Sequence, residues 1–242
     1  FQPTLAFQAS RFSLSLTCPN KSEIISKIRL DWLQCTQKRN KMTLDNQAIN
    51  IAKIICIGKN YTDHIKEMGD ATPSEMVLFA KPVTSANTEL ILPKKSFRFE
   101  AEICLLMNEQ KIIGIGIGLD MTLDEIQKDL KNNGLPWERS KGFKNSGIYS
   151  DFVSVSNIDQ SQIELKFYVN DNLKQHAKSS QMVYSISHIV DECESVFGLN
   201  TYDIIMTGTP SGIDTLREGD KCRGELYHQG ELVLQKEWVA KS

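Results

Sequence analysis

The sequence has no pair of closely spaced cysteines, because its six cysteines are all seventeen or more residues apart. A zinc finger and a thioredoxin-like CxxC motif are therefore excluded, and we expect a reducing compartment. The sequence also lacks a long apolar run. The longest, residues 112–119, contains three glycines, whereas a membrane-spanning helix needs about 20 apolar residues. We therefore expect no membrane insertion.

Neither proline nor charge of one sign is abundant. The 242 residues include seven prolines, and 28 basic residues stand against 30 acidic ones. Residues 1–41 hold seven of the basic residues and only two of the acids, so residues 42–242 carry a net charge of −7. Residues 42–242 are mildly acidic, and a negative net charge is unfavourable for binding nucleic-acid phosphates. We therefore expect no nucleic-acid partner.

The basic segment at the start of the chain differs from the rest. We predict an N-terminal extension over residues 1–48 and one folded domain over residues 49–242. The extension has the basic, acid-poor composition of a targeting presequence. The favoured interpretation is an appendage with no part in the chemistry. We expect a cytoplasmic protein, or a mitochondrial one if residues 1–41 are a presequence.

Short apolar strands dominate the predicted domain. The clearest helix covers residues 122–133, where Thr122 and Glu125 have the spacing of a capping box. Asn60 is expected to cap a short helix that ends near Met68, and residues 187–196 are predicted to form another helix. Many short strands without regular βαβ alternation predict an α+β, mostly β fold built on curved sheets. The predicted strands cover residues 51–58, 76–80, 99–107, 112–119, 152–155, 165–169, 203–207, 220–226 and 232–238.

Two glutamates in the strand over residues 99–107 are candidate metal ligands. Strand alternation places Glu100 and Glu102 on one face, about 7 Å apart, in a strand whose apolar residues predict burial on both sides. One of them would take up a proton unless a cation offset the charge. Mg²⁺ or Mn²⁺ prefers such oxygen ligands, and Asp120 could supply a third. Alternatively, the glutamates are solubility charges on an edge strand and Asp120 is a turn residue.

His64 and Glu67 form a second candidate cluster. They are three residues apart and share one face of the predicted short helix. A carboxylate beside an imidazole orients the ring and raises its basicity. The alternative is a solvated pair on a helix surface. Lys141 carries no comparable signal, because from the residues alone it simply lies in a predicted loop.

Seven short segments occur in order between residues 53 and 238: residues 57–64, 78–82, 100–102, 119–122, 134–137, 141–143 and 207–210. Together they resemble the fumarylacetoacetate hydrolase family, most closely its small acylpyruvase and oxaloacetate decarboxylase branch. The resemblance implies a mixed β-roll with a few short helices around a Mg²⁺ or Mn²⁺ site. It also implies that residues 49–242 are a catalytic domain and that the protein is a homodimer.

The resemblance assigns roles to both candidate clusters. Glu100, Glu102 and Asp120 match the metal ligands of the family. His64 and Glu67 match its water-activating pair, which lies on a lid that becomes ordered over the substrate.

The resemblance also implies the substrate contacts, with two departures from the branch. Lys141 matches the active-site lysine, and Gln127 and Thr209 are assigned to the substrate. Lys59 is also assigned to the substrate, but close relatives carry arginine there, so the charge is kept and the bidentate fork is lost. Asp124 stands where the branch usually has a substrate-binding arginine, so an anion replaces a cation.

The leading functional expectation is a divalent-metal-dependent hydrolase that cleaves a C–C bond in a β-diketo acid of the acylpyruvate or fumarylpyruvate type. His64 would take a proton from water, and Lys141 would help hold the departing enolate. Oxaloacetate decarboxylation or keto–enol isomerisation on the same site is the alternative, because neither reaction needs an attacking water. A catalytically weak metal-binding relative is a second alternative, motivated by Asp124. The expected partner is a small anionic keto acid.

Overall fold

The structure, a computed structural model, describes residues 41–155 and 158–242. The first 40 residues of the predicted extension lie outside the described residues. In the described ranges, none of the helices has the length and hydrophobicity that crossing a membrane would require.

The helices are α1 (Thr62–Glu67), α2 (Asp124–Asn132), α3 (Glu138–Lys141) and α4 (Ile186–Phe197). The strands are β1 (Thr43–Leu44), β2 (Gln47–Ala48), β3 (Ile54–Gly58), β4 (Val77–Lys81), β5 (Ala86–Asn87), β6 (Ala101–Asn108), β7 (Lys111–Asp120), β8 (Gly147–Tyr149), β9 (Val153–Ser154), β10 (Ile163–Val169), β11 (Asn172–Lys178), β12 (Ile204–Met206), β13 (Lys221–His228) and β14 (Glu231–Val239).

Two sheets make up most of the described fold. The larger sheet has the strand order β4-β3-β12-β6-β7-β8-β5, with β9 also paired to β7. Its β3–β12 and β5–β8 pairs are parallel, and its other pairs are antiparallel. The smaller sheet is antiparallel, with the order β11-β10-β13-β14. The predicted mostly β fold, a mixed roll with a few short helices, is confirmed.

The β6–β7 hairpin lies at the centre of the larger sheet. Ile103 and Leu105 of β6 point into one apolar core, whereas Cys104 and Leu106 point into another on the opposite face. The prediction of a strand buried on both sides is therefore confirmed. Gly118 of β7 packs closely against this strand, because a Cβ atom there would lie 2.5 Å from the Cys104 sulfur. Only glycine fits at this position in the strand.

The smaller sheet covers the first of these cores. Alternate residues of β10 are buried, as expected for a strand with one face on a core. The Phe167 ring lies 5.2 Å from the ring of Phe99 and 6.5 Å from that of Trp238. These aromatic contacts join β10 to β14 and to the segment that leads into β6.

A short hairpin, β1–β2, packs over the second core. Met42 and Ile49 flank it and are buried beside Phe152. The Phe152 amide donates to the Thr43 carbonyl at 2.7 Å. The packed part of the described chain therefore includes residues 42–48, which precede the predicted domain boundary.

Two predicted helix caps are wrong. Helix α1 begins after Tyr61, and the Asn60 side chain instead donates to the Thr207 carbonyl and accepts from the Tyr184 amide, both at 2.8 Å. Helix α2 begins after Leu123, and the Thr122 hydroxyl donates to Glu100 at 3.2 Å. In both cases a tertiary partner takes the polar side chain that local sequence assigned to the helix end.

Candidate active site and metal centre

Three carboxylates meet at one end of the β6–β7 hairpin. Glu100 immediately precedes β6, Glu102 lies within it, and Asp120 is the last residue of β7. The antiparallel register brings these ends together, and the Asp120 amide donates to the Glu100 carbonyl at 2.8 Å. The three residues are at most 5% exposed, and each offers a carboxylate oxygen within 4.8 Å of the others. We call this group the carboxylate centre.

Two buried lysines and a backbone amide surround the carboxylate centre. Lys141, at the end of α3, donates to Glu100 Oε2 at 2.7 Å and to Asp120 Oδ2 at 2.6 Å. Lys81, at the end of β4, lies with its Nζ 2.8 Å from Asp120 Oδ1. The Gly208 amide donates to Glu102 Oε2 at 2.7 Å. The centre is therefore held by opposite charge, although unequally among the three acids.

The two glutamates have pKa values that are shifted in opposite directions. Burial raises the pKa of Glu100, but the charges of Lys141 and Arg98 outweigh it and the net pKa is well below the usual value. Burial, followed by the repulsion of the other two carboxylates, raises the pKa of Glu102 well above its usual value. The same burial therefore shifts the two glutamates in opposite directions, because cations face Glu100 whereas anions face Glu102.

One oxygen of the carboxylate centre lacks a hydrogen-bond donor. Lys81 is close to Asp120 Oδ1, but it donates to the Lys141 carbonyl and to the carbonyl and hydroxyl oxygens of Ser146. The buried Oδ1 atom has the Lys81 ammonium group as its ion-pair partner but accepts no hydrogen bond from the described residues. Three converging carboxylates fit a hard divalent cation such as Mg²⁺ or Mn²⁺.

Helix α1 places the His64–Glu67 pair beside this centre. His64 Nδ1 lies 3.1 Å from Glu67 Oε2, and the other oxygen of Glu67 accepts from the Gly212 amide at 3.0 Å. Glu67 is thereby fixed at both oxygens. If Nδ1 carries the proton that faces Glu67, Nε2 of the largely buried His64 is left as a proton acceptor.

One cavity brings the predicted site residues together. Glu67 does not line the cavity but lies behind His64 and orients it. The remaining predicted residues line its wall: Lys59, His64, Glu100, Glu102, Asp120, Gln127, Lys141 and Thr209.

The three residues assigned to the substrate already have protein partners. Lys59 Nζ lies 3.2 Å from Asp70 Oδ2. The Thr209 hydroxyl donates to the Ala101 carbonyl at 2.9 Å and accepts from Gln175 at 2.8 Å. Gln127 Oε1 accepts from Arg98. A ligand would therefore meet polar groups whose positions are set by the fold.

Arg98 is a cavity residue that the sequence reasoning missed. It pairs with Asp124 at 2.5 Å, and Arg98 rather than Asp124 lines the cavity. The expectation that Asp124 reverses the local electrostatics is therefore corrected, because its charge is offset by a guanidinium. An available signal was the alternation of Arg98, Glu100 and Glu102, which predicts one shared strand face.

The fold and the site together define a mixed β-roll with an internal carboxylate centre beside a His–Glu pair. Residues 53–235 match the protein-family model described as fumarylacetoacetate (FAA) hydrolase C-terminal. The chain belongs to the fumarylacetoacetate hydrolase family.

Relatives within this family include named enzymes. The mitochondrial oxaloacetate tautomerase FAHD1 of Bos taurus is 34% identical over 191 residues, which cover 72% of this chain and 86% of the bovine protein. A crystal structure from Oleispira antarctica, named as a fumarylacetoacetate isomerase/hydrolase, is 32% identical with a TM-score of 0.79 and covers 83% of this chain and 99% of its own. Fumarylpyruvate hydrolase from Pseudomonas aeruginosa, solved with Mn²⁺ and pyruvate, shares the fold at 23% identity, with a TM-score of 0.74 and coverage of 84% and 96%.

Proposed function

We propose that the protein is a divalent-metal-dependent enzyme that interconverts the keto and enol forms of a small dicarboxylic keto acid of the oxaloacetate type. The observation that carries this proposal is the single cavity shared by His64 and the carboxylate centre. The bovine relative named oxaloacetate tautomerase, aligned over 86% of its length, supports this choice of reaction.

The residues of the cavity suit proton transfer at the carbon next to a keto group. His64, oriented by Glu67, accepts the proton at Nε2 as the C–H bond breaks and a C=C bond forms. Negative charge then develops on the keto oxygen, and the Lys141 ammonium group stabilises it. Return of a proton to oxygen or to carbon gives one tautomer or the other. A bound divalent cation would polarise the keto oxygen and offset the carboxylates.

Hydrolysis of an acylpyruvate is the second candidate. The His64–Glu67 pair favours it, because the same oriented imidazole could take a proton from water instead of from carbon. The two reactions differ in their products, since hydrolysis cleaves a C–C bond and tautomerisation leaves the carbon skeleton intact. Oxaloacetate decarboxylation is separated from both by the release of CO₂.

The test is a substrate panel with the purified protein and Mn²⁺ or Mg²⁺. We expect faster loss of the ultraviolet absorbance of enol oxaloacetate, without matching formation of pyruvate and without cleavage of acylpyruvates. His64→Gln should lower kcat for this reaction by about 100-fold or more, as expected for a lost general base. His176→Gln is a matched control, because His176 also pairs with a glutamate, at 2.7 Å, but lies outside the cavity.

Two results would overturn the proposal. Acylpyruvate cleavage much faster than tautomerisation would make the protein a hydrolase. Equal activity of His64→Gln and the unmodified protein toward enol oxaloacetate would remove the imidazole from the reaction.

A further inference from the structure

Arg98 is held at three points beside the carboxylate centre. Its Nε donates to Glu100 Oε1 at 2.7 Å, and its two Nη atoms donate to Asp124 Oδ1 at 2.5 Å and to Gln127 Oε1 at 2.6 Å. Only 12% of the side chain is exposed. A guanidinium carries five N–H donors in a rigid plane. Two of them are left over from these bonds to the described residues.

The guanidinium faces the same cavity as the carboxylate centre. Glu100 is shared between two cations, with Oε1 toward Arg98 and Oε2 toward Lys141. Arg98 and Gln127 line the cavity, whereas Asp124 does not. The wall therefore presents a fixed cation on the opposite side of Glu100 from Lys141.

We propose that Arg98 binds the second carboxylate of a dicarboxylic keto acid whose keto-acid end lies at the carboxylate centre, an inference that rests on the proposed function. Arg98 lies in the wall of the same cavity as Glu100, with its Nε 2.7 Å from Glu100 Oε1, so the guanidinium is next to the carboxylate centre. A guanidinium can hold a carboxylate through two parallel hydrogen bonds. Arg98 thus determines specificity by favouring diacids over monoacids.

A purely structural role makes a different prediction. Arg98 also ties the segment before β6 to helix α2 through Asp124 and Gln127. If that were its whole contribution, loss of the guanidinium would weaken every ligand of the cavity alike. The proposed role weakens only ligands with a distal carboxylate.

The test uses two stable probes that share a 2-hydroxy acid end. Malate carries a distal carboxylate, and lactate does not. Both are titrated by calorimetry into the Mn²⁺-loaded protein and its Arg98→Gln, Arg98→Lys and Arg217→Gln variants. Arg217, which is exposed and outside the cavity, provides the matched control. Mn²⁺ alone is titrated into each variant first.

We expect Arg98→Gln to lower the affinity for malate at least about tenfold, as for a lost charge-assisted hydrogen bond, and to leave lactate and Mn²⁺ affinity within about twofold. Arg98→Lys should lose less malate affinity, because lysine keeps the charge without the fork. Equal loss for malate and lactate, no loss for either, or lost Mn²⁺ binding would overturn the inference. If Arg98→Gln fails to fold, the selective loss must appear in Arg98→Lys.

These measurements do not depend on turnover. Selective, Arg98-dependent binding of malate by a protein that does not tautomerise oxaloacetate would refute the proposed function and leave the diacid site in place. Tautomerase activity with no Arg98-dependent preference for malate would refute the diacid site and leave the proposed function in place.

Discussion

Glu100 is bonded on both carboxylate oxygens by buried or nearly buried cations, Arg98 and Lys141, whereas Glu102 accepts only the neutral Gly208 amide. The two acids share one strand face, and their pKa values are shifted in opposite directions. Their replacement by glutamine should therefore have different consequences for stability, even if both bind the same ion.

We predict that Glu100→Gln lowers the free energy of unfolding by about 2 kcal/mol or more, because Arg98 and Lys141 each lose one of their carboxylate partners. Glu102→Gln should change it less, since Glu102 accepts from a neutral backbone amide and burial raises its pKa. Both variants should lose Mn²⁺ affinity, measured by calorimetry, because each removes one ligand.

Glu225→Gln is the matched control, since Glu225 is a buried acid outside the cavity and should not affect Mn²⁺ binding. Unchanged Mn²⁺ affinity in Glu102→Gln would remove Glu102 from the ligand set. A stability loss as large as that of Glu100→Gln would contradict the expected difference between the two acids.

Four of the six cysteines are described, and all four are buried and free. Burial, and secondarily a nearby acid, raises the pKa of Cys193 and of Cys222 to about 12. Burial raises the pKa of Cys56 and Cys104 well above the usual value. Since the thiolate is the nucleophile, iodoacetamide at pH 8 should modify none of these four in the folded protein. Peptide mass spectrometry with and without denaturant checks this, and an adduct on any of them before unfolding contradicts it.

At the scale of the elements, the pattern of apolar residues predicted the buried strands correctly. The polar side chains, in contrast, led to wrong predictions of two helix caps. Strand β6 was predictable because its residues are apolar on both faces. Strand β11 was not predicted, because it lies at the edge of its sheet and alternates few apolar residues with many polar ones. The caps assigned to Asn60 and Thr122 failed because amides and hydroxyls accept several partners, and only the tertiary fold selects among them.

Asp70, which follows α1, forms an ion pair with Lys131 of α2. Asp70 lies 3.2 Å from Lys59 Nζ and 3.1 Å from Lys131 Nζ. Lys131 also lies over the Trp137 ring, 5.5 Å from its centroid. These residues line the same cavity as His64, and the ion pairs join the segments on either side of α1 to α2.

We predict that Asp70→Asn lowers stability at neutral pH and weakens the effect of pH on it. Burial raises the pKa of Asp70, but Lys131 and Lys59 outweigh it and the net pKa is lowered. The carboxylate therefore contributes stability fully above its unfolded pKa of about 3.9, and this contribution is lost as pH falls through the lower folded value.

Urea unfolding of both proteins across this pH range measures the difference. Asp63→Asn is the control, because Asp63 pairs with Lys66 on an exposed helix face. A difference between Asp70→Asn and the unmodified protein that grows toward acid pH would contradict the prediction.

At the scale of the whole molecule, the site contains some residues that spacing in the sequence predicts and others that only the tertiary fold brings there. The carboxylate centre follows from alternation in β6 and from the strand end at Asp120. Strand alternation could also have indicated Arg98, whereas Lys81 reaches the centre only through the pairing of distant strands, which no local pattern encodes. The roles of His64, Glu67 and Lys141, the homodimer and the cellular location rest on the resemblance or on composition, and they stay predictions.

The β6–β7 hairpin also has a consequence for the order of folding. Its strands are joined by a turn at residues 109–110, so its contacts are local in sequence. Strand β12 must instead find β3 across about 150 residues, as in the pairing of Ile204 with Ile54. Because local contacts form sooner, the hairpin should be an early intermediate to which β3 and β12 are added later. Pulse-labelling hydrogen exchange during refolding measures this order. The amide of Asp120, which donates to Glu100, should be protected before the amide of Ile204, which donates to Lys53. The reverse order would mean that the acids of the carboxylate centre converge only after the long-range strand pairs have formed.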